Sequence, residues 1–201
     1  YDSDTGPIDP ALMRRAQVGY YACISHLDNQ IGRLITALIE ERIFENTVIL
    51  FCSDHGELLG DHHTYRKVRP YQGSIRIPMI VCNAPRLHDQ QGAVSDMLVE
   101  LRDVMPTLLD LAGLPIPESL DGLTMARENH REYLHGEHSW PELGNQFVVT
   151  KTDKFCWFNA TGQEQYFDLE HDPQERVDRI ADPACQDRIG QLRRALVRTL
   201  Q

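Results

Sequence analysis

The sequence predicts an α/β protein in two units. A layered helix–strand–loop–strand–helix unit is followed by a small antiparallel sheet with a C-terminal helix. Three observations predict it. A long stretch with apolar residues at steps of three and four precedes two short, continuous apolar runs. Beyond residue 126 the pattern changes to closely spaced strand-like segments. The last stretch returns to helical spacing. The expected division is residues 1–125 and residues 126–201.

Residues 8–42 read as one helix. Asp9-Pro10 supplies an N-cap and a proline at the first helical position. Met13, Ala16, Tyr20, Ile24, Leu27, Ile31, Leu34 and Leu38 form one apolar stripe. After the turn "FENT", the run "TVILFC" (47–52) fits a strand buried on both faces, as in a parallel sheet. "IPMIVC" (77–82) is a second such strand, and "VSDMLVE" (94–100) a short edge strand. Asp103 opens a helix that tolerates Pro106 in its first turn and stops at Gly113. "LPIPESLDG" is a Pro-rich linker. "REYLHGEH", "QFVVTKTDKFCWFN" and "EQYFDLEHDP" then read as a meander. A final helix over 184–200 puts Ile189, Leu192, Leu196 and Val197 on one face.

Composition narrows the function. The 201 residues are 41% hydrophobic, enough for a core, and carry 20 basic and 30 acidic side chains, a net charge of −10. Such a chain has no electrostatic footprint for nucleic acid or an anionic membrane. An anion would have to be held by a local cluster against the global field. No apolar run approaches the ~18–20 residues of a membrane span. The opening "YDSDTGPIDP" has neither an initiator Met nor a signal-peptide pattern and reads as a piece cut from a longer chain. Cys23, Cys52, Cys82, Cys156 and Cys185 are odd in number, widely spaced and without a C-x-x-C pair, which argues against a disulfide framework or a cysteine zinc site. Cys52 and Cys82, inside apolar runs, are expected to act as small hydrophobes. This usage favours a reducing compartment, cytoplasmic before periplasmic or secreted.

In open α/β sheets ligands bind outside the carboxyl ends of the strands. There, after the 47–52 run, stands "SDHGELLGDHHTYRK". Asp54 and His55 sit at the strand tip, and Gly56 permits the sharp turn that lets both reach one divalent cation. A carboxylate suits calcium, magnesium or manganese, and such a site tolerates one imidazole. Spacing alone leaves a second reading open, with Asp54 capping a turn and His55 partly buried. Glu57 is a general base, a partner behind His55 or an exposed acid, of which the second is preferred. His62 and His63 are loop surface or part of a site. Lys67 suits a sulfuryl or phosphoryl oxygen, or forms a solvated pair with Arg66.

The ordered segments together resemble the C-terminal part of a type I sulfatase, of the alkaline-phosphatase-like superfamily. They are "YYACISHLDNQIGRLITALIEERIFENTVILFCSDHGELLGDH", Lys67, "YQGSIRIPMIV", "DVMPTLLDLAGLPIP", "LDG" and "YFDLEHDPQE". The resemblance implies a sulfatase-type sheet flanked by helices. Asp54 and His55 resemble the family's second pair of metal ligands, calcium ahead of magnesium or manganese; some members have Asn at the place of His55. Lys67 resembles the lysine that holds a sulfate oxygen and takes part in catalysis. His62 matches the His of a G-D-H loop, which implies a structural or pocket-lining place beside the substrate. Arg76 matches a recurrent arginine, read as structural.

The resemblance also implies a formylglycine nucleophile, made from the first residue of C/S-x-P-S/A-R. No cysteine here stands in that motif. "CNAPR" (82–86) is a near miss, and Cys82 is rejected as nucleophile. The family's first pair of metal-binding aspartates is absent, as are the upstream His and Lys that assist the leaving group. The expectation is half of a sulfatase metal site, with a sulfate ester as the parent protein's substrate and no turnover by this stretch alone. A phosphonate monoester or phosphodiester hydrolase and a non-catalytic binding module are the alternatives. Strands deprived of neighbours should drive self-association. In the second unit, "HGEH" places His135 and Glu137 on one face of a strand. It is read as a polar strand end beside the site, with His138 next to it, rather than as a metal cluster. Trp140 and Trp157 are read as core.

Overall fold

The computed structural model describes residues 7–83, 92–139 and 142–201. Pro85, Arg86 and Trp140, which the sequence singled out, lie outside them.

Helix α1 (Pro10–Glu40) begins as expected. The Asp9 carboxylate accepts the Ala11 amide at 2.8 Å, and Pro10 takes the first turn. Its apolar stripe forms, yet no α1 residue is buried, and Leu27 and Leu34 are 52% and 63% exposed. Met13, at the start of the stripe, lies against Gly60, while Tyr20, Ile24, Leu27 and Leu34 stay exposed.

Strands β1 (Ile49–Cys52) and β2 (Met79–Cys82) correct the parallel-sheet expectation. They pair antiparallel, Ile49 opposite Cys82 and Cys52 opposite Met79, in a two-stranded sheet. Neither is buried on both faces, and Cys82 is exposed rather than a core hydrophobe. A continuous apolar run records hydrophobicity, not strand direction. The Asn83 amide closes the end of the ribbon by donating to the carbonyls of Phe44 and Thr47.

Between β1 and β2 a four-residue helix, α2 (Gln72–Ile75), turns the chain. The expected edge strand at 94–100 is not a strand. The Leu98 carbonyl accepts from the Arg131 guanidinium at 3.1 Å instead of from a neighbouring strand. A 3-10 turn, Leu101–Asp103, leads into α3 (Val104–Leu111), with Pro106 buried in its first turn and Gly113 ending it at φ 74°.

Asp103 is fully buried. It accepts two hydrogen bonds from Arg131, at 2.7 and 2.9 Å, and the amides of Leu123 (2.7 Å) and Glu100 (2.9 Å). Arg127 pairs with Asp110 at 2.9 Å, and the Met125 amide donates to Thr107 Oγ1 at 2.8 Å. The chain after the linker is therefore laced to α3 before it enters the second sheet.

That sheet is the expected meander, in the order β3 (Leu134–His138), β4 (Asn145–Val149), β5 (Asp153–Phe158), β6 (Glu164–Asp168), all antiparallel. Helix α4 (Gln186–Thr199) covers one face, with Ile189, Leu192 and Leu196 packed on Val148, Phe155 and Tyr166. Each such side chain stabilises by roughly 1.5–3 kcal/mol. Val197 is exposed, and Ala195 takes its expected place in the buried face. Trp157 packs half-buried against this core. Arg188 fixes the helix to the sheet through Asp153, at 2.6 and 3.0 Å.

Asp103→Ala should cost about 3–5 kcal/mol, because it strands the Arg131 guanidinium. Burial alone would raise the Asp103 carboxyl, but Arg131 and the two amides outweigh it and hold it below the ordinary 3.8. The stability it contributes is complete above about pH 3.8. It declines below that value and is gone once the folded pKa is passed. Denaturation midpoints followed downward from neutral pH should show this loss in the parent and a flatter profile in Asp103→Asn.

Candidate active site

Strand β1 delivers Ser53, Asp54, His55 and Gly56 in succession. The Gly56 amide donates to the Ser74 carbonyl at 2.7 Å. A Cβ at Gly56 would lie 2.1 Å from the Gly73 carbonyl oxygen, so only glycine lets the tip turn against residues 73–74. The turn leaves Asp54 mostly exposed and His55 partly so.

Glu57 is not the expected partner of His55. Its Oε1 accepts the amides of Leu59 at 3.1 Å and Arg66 at 2.5 Å, while the Leu58 amide donates to the Arg66 carbonyl at 2.8 Å. These bonds clamp both ends of the 59–66 loop and return Lys67 to the strand tip. The only signal in the sequence was an acid placed just before a long polar loop.

The hydrogen bonds fix the tautomer of His55. Nδ1 lies 2.8 Å from the Gly56 carbonyl, which can only accept, so Nδ1 carries the proton. Nε2 then offers its lone pair outward, to Lys67 Nζ at 2.5 Å. Asp54 Oδ2 approaches the same Nε2 at 3.3 Å. A carboxylate oxygen beside an imidazole lone pair, the ring held from behind by a carbonyl, is a donor pair suited to a divalent ion. The described residues bring two such donors together and no group of three or more His, Cys, Asp or Glu able to hold a metal.

Asp54, His55 and Lys67 line a cleft of about 470 Å3. Leu134, His138 and Phe147 line it from the second sheet, joined by Val99 and Leu101. His62 does not line this cleft. Its ring stacks on Tyr71, centroids 3.8 Å apart at 11°, and Tyr71 in turn meets Phe167 edge-on and donates to Gln165 at 3.1 Å. Arg76 is exposed and also outside the cleft lining. In "HGEH", His135 Nε2 donates to Gln146 Oε1 at 2.8 Å, and Gln146 Nε2 donates to Glu137 at 2.9 Å. Gln146 thus links the two side chains of the shared face. None of the five cysteines, all free thiols, lines the cleft, and burial pushes Cys156 up to about 12.

The fold is an α/β one shared with solved sulfatase structures. The family model described as Sulfatase matches residues 7–114, and the chain belongs to the sulfatase family. An arylsulfatase of Clostridium perfringens is 44% identical over 98% of this chain and 42% of its own length. A choline-sulfatase of Rhizobium meliloti is 34% identical over 85% of this chain and 34% of its own. The chain thus spans less than half the length of these relatives. Among solved structures, a phosphonate monoester hydrolase of Agrobacterium radiobacter superposes with a TM-score of 0.79, at 25% identity, over 89% of this chain and 40% of that one.

Tyr71 covers one face of His62, and this burial lowers the pKa of His62 from 6.5, against the upward pull of Glu175 and Asp61. The stacked loop is favoured by the neutral ring. Its contribution is complete above about pH 6.5 and is lost as pH falls from there through the folded value. An NMR titration of the His62 ring should give a midpoint below 6.5, and Tyr71→Leu should return it toward that value. A midpoint at or above it in the parent protein would contradict the stacking account.

Proposed function

We propose that this chain forms the strand-tip half of a sulfatase active site and serves the hydrolysis of a sulfate ester. The observation that carries the reading is Lys67 Nζ meeting His55 Nε2 beside Asp54, at a strand end that opens into a cleft. Asp54 and His55 would hold the divalent ion, calcium before magnesium or manganese. When bound, that ion supplies positive charge against the sulfuryl oxygens. Lys67 binds and neutralises another such oxygen as charge builds in the transition state. The Gly56 carbonyl keeps the His55 proton on Nδ1, so the ring acts as a donor of electrons and not as an acid. Leu134 and Phe147 give the alcohol portion an apolar wall that limits water. The formylglycine of the family has no precursor motif in this sequence, and no cysteine lines the cleft.

A phosphonate monoester hydrolase is the second reading, supported by the likeness to the Agrobacterium radiobacter enzyme. Parallel assays of 4-nitrophenyl sulfate and 4-nitrophenyl phenylphosphonate, on protein expressed from its complete reading frame, separate the two. Sulfate turnover should dominate, and Lys67→Ala should lower kcat by about 100- to 1,000-fold. His55→Ala should weaken calcium binding in calorimetry. Dominant phosphonate turnover would replace the sulfatase reading by the second one. The five free thiols support a reducing compartment.

The open stripe of α1 and the two-stranded β1–β2 ribbon support self-association of the 201-residue chain. Light scattering at high concentration should detect dimers or larger species; a clean monomer would refute this.

A further inference from the structure

Lys67 sits in a backbone that does not favour its own shape. The residues on either side, Arg66 and Val68, have φ of 69° and 100°. Such values are costly for a side-chain-bearing residue, most of all a β-branched one, and they persist where surrounding structure over-determines them. The second sheet supplies that constraint. Asn145, on β4 and 1% exposed, donates to the Val68 carbonyl at 2.8 Å. Lys154, on β5 and fully buried, donates to the Pro70 carbonyl and forms an ion pair with Glu175. Glu175 Oε2 accepts the Gln72 amide at 2.6 Å. Lys154 Nζ also lies 5.9 Å from the ring centroids of both Tyr71 and Phe167. Three buried polar side chains thus take hold of alternate residues, 68, 70 and 72, directly after Lys67.

We propose that Asn145, Lys154 and Glu175 are positioning residues that hold Lys67 against His55 and into the cleft. Lys154 and Glu175 stand outside the cleft lining, and Asn145, on the cleft wall, spends its side-chain amide on the carbonyls of Val68 and Leu143. They act by fixing the backbone that carries Lys67. The purpose assigned to Lys67 rests on the sulfatase reading, but its placement does not.

The test uses protein expressed from its complete reading frame, with the histidine rings labelled with 15N. His55→Gln assigns the His55 signals, and Lys67→Ala records the ring without its ammonium partner. Lys154→Met/Glu175→Gln keeps volume and removes both charges, a replacement that buried pairs commonly survive with their fold intact. Asn145→Leu removes the other anchor independently. In both variants the His55 signals should move toward those of Lys67→Ala while circular dichroism reports a folded protein. kcat/KM for 4-nitrophenyl sulfate should fall about 100-fold, the scale of a misplacement near 1 Å. A purely structural role would lower the unfolding midpoint and leave the folded-state His55 signals at their parental positions. That result in both variants overturns the proposal. Absence of sulfate turnover in the parent would sink the sulfatase reading alone, since the His55 signals still decide the positioning.

Discussion

Asp103 is the constraint on which the cleft depends. A carboxylate with no access to water must be fully hydrogen-bonded, because its desolvation costs several kcal/mol. Here four donors meet it: two from Arg131 and one each from the amides of Glu100 and Leu123. Such a pair adds little net stability relative to an apolar contact of equal volume. What it fixes is position. Arg131 stands just before β3, so the carboxylate that anchors it also sets where the second sheet begins. Leu134 and His138 of that strand line the cleft opposite Asp54 and His55.

The two sides of the cleft are built by different means. Asp54 and His55 stand on a strand tip whose turn is set by one backbone contact at Gly56. Lys67 rides on a loop with positive φ at both neighbours. Its hold comes from Glu57 on the first side and from Asn145, Lys154 and Glu175 on the second. A rigid tip with a strained, externally braced loop brings the Lys67 ammonium to the His55 ring beside Asp54. The second sheet is therefore more than a neighbour of the site. It carries the partners that the strained loop lacks locally.

Much of this was legible in the sequence, because local rules govern it. Asp9-Pro10 announces α1, the alternating segments after residue 126 announce the meander, and Ile189, Leu192 and Leu196 announce the buried face of α4. Asp54, His55 and Lys67 were all named, and the structure brings them together. The direction of β1 against β2 was not legible, since a run such as "ILFC" reads the same either way. Nor was the fate of 94–100, whose Leu98 carbonyl goes to a side chain 33 residues away. Glu57 was assigned to His55 from proximity in sequence, but its bonds go to backbone amides. The anchors of Lys67 span still longer distances: Asn145 meets Val68 at a separation of 77 residues and Lys154 meets Pro70 at 84. Lys154 gives no local signal either: it follows Asp153 at the polar start of β5, ahead of FCWF.

His55 joins the strand tip to the loop. The Gly56 carbonyl accepts from Nδ1, and this turns Nε2 toward Lys67 Nζ and Asp54 Oδ2. One ring therefore links the tip whose turn Gly56 sets to the loop that Glu57 holds from one end and that Asn145 and Glu175 hold from the other. Neither half places its polar groups alone: the tip orients the ring, and the second sheet braces the chain that brings the ammonium to it.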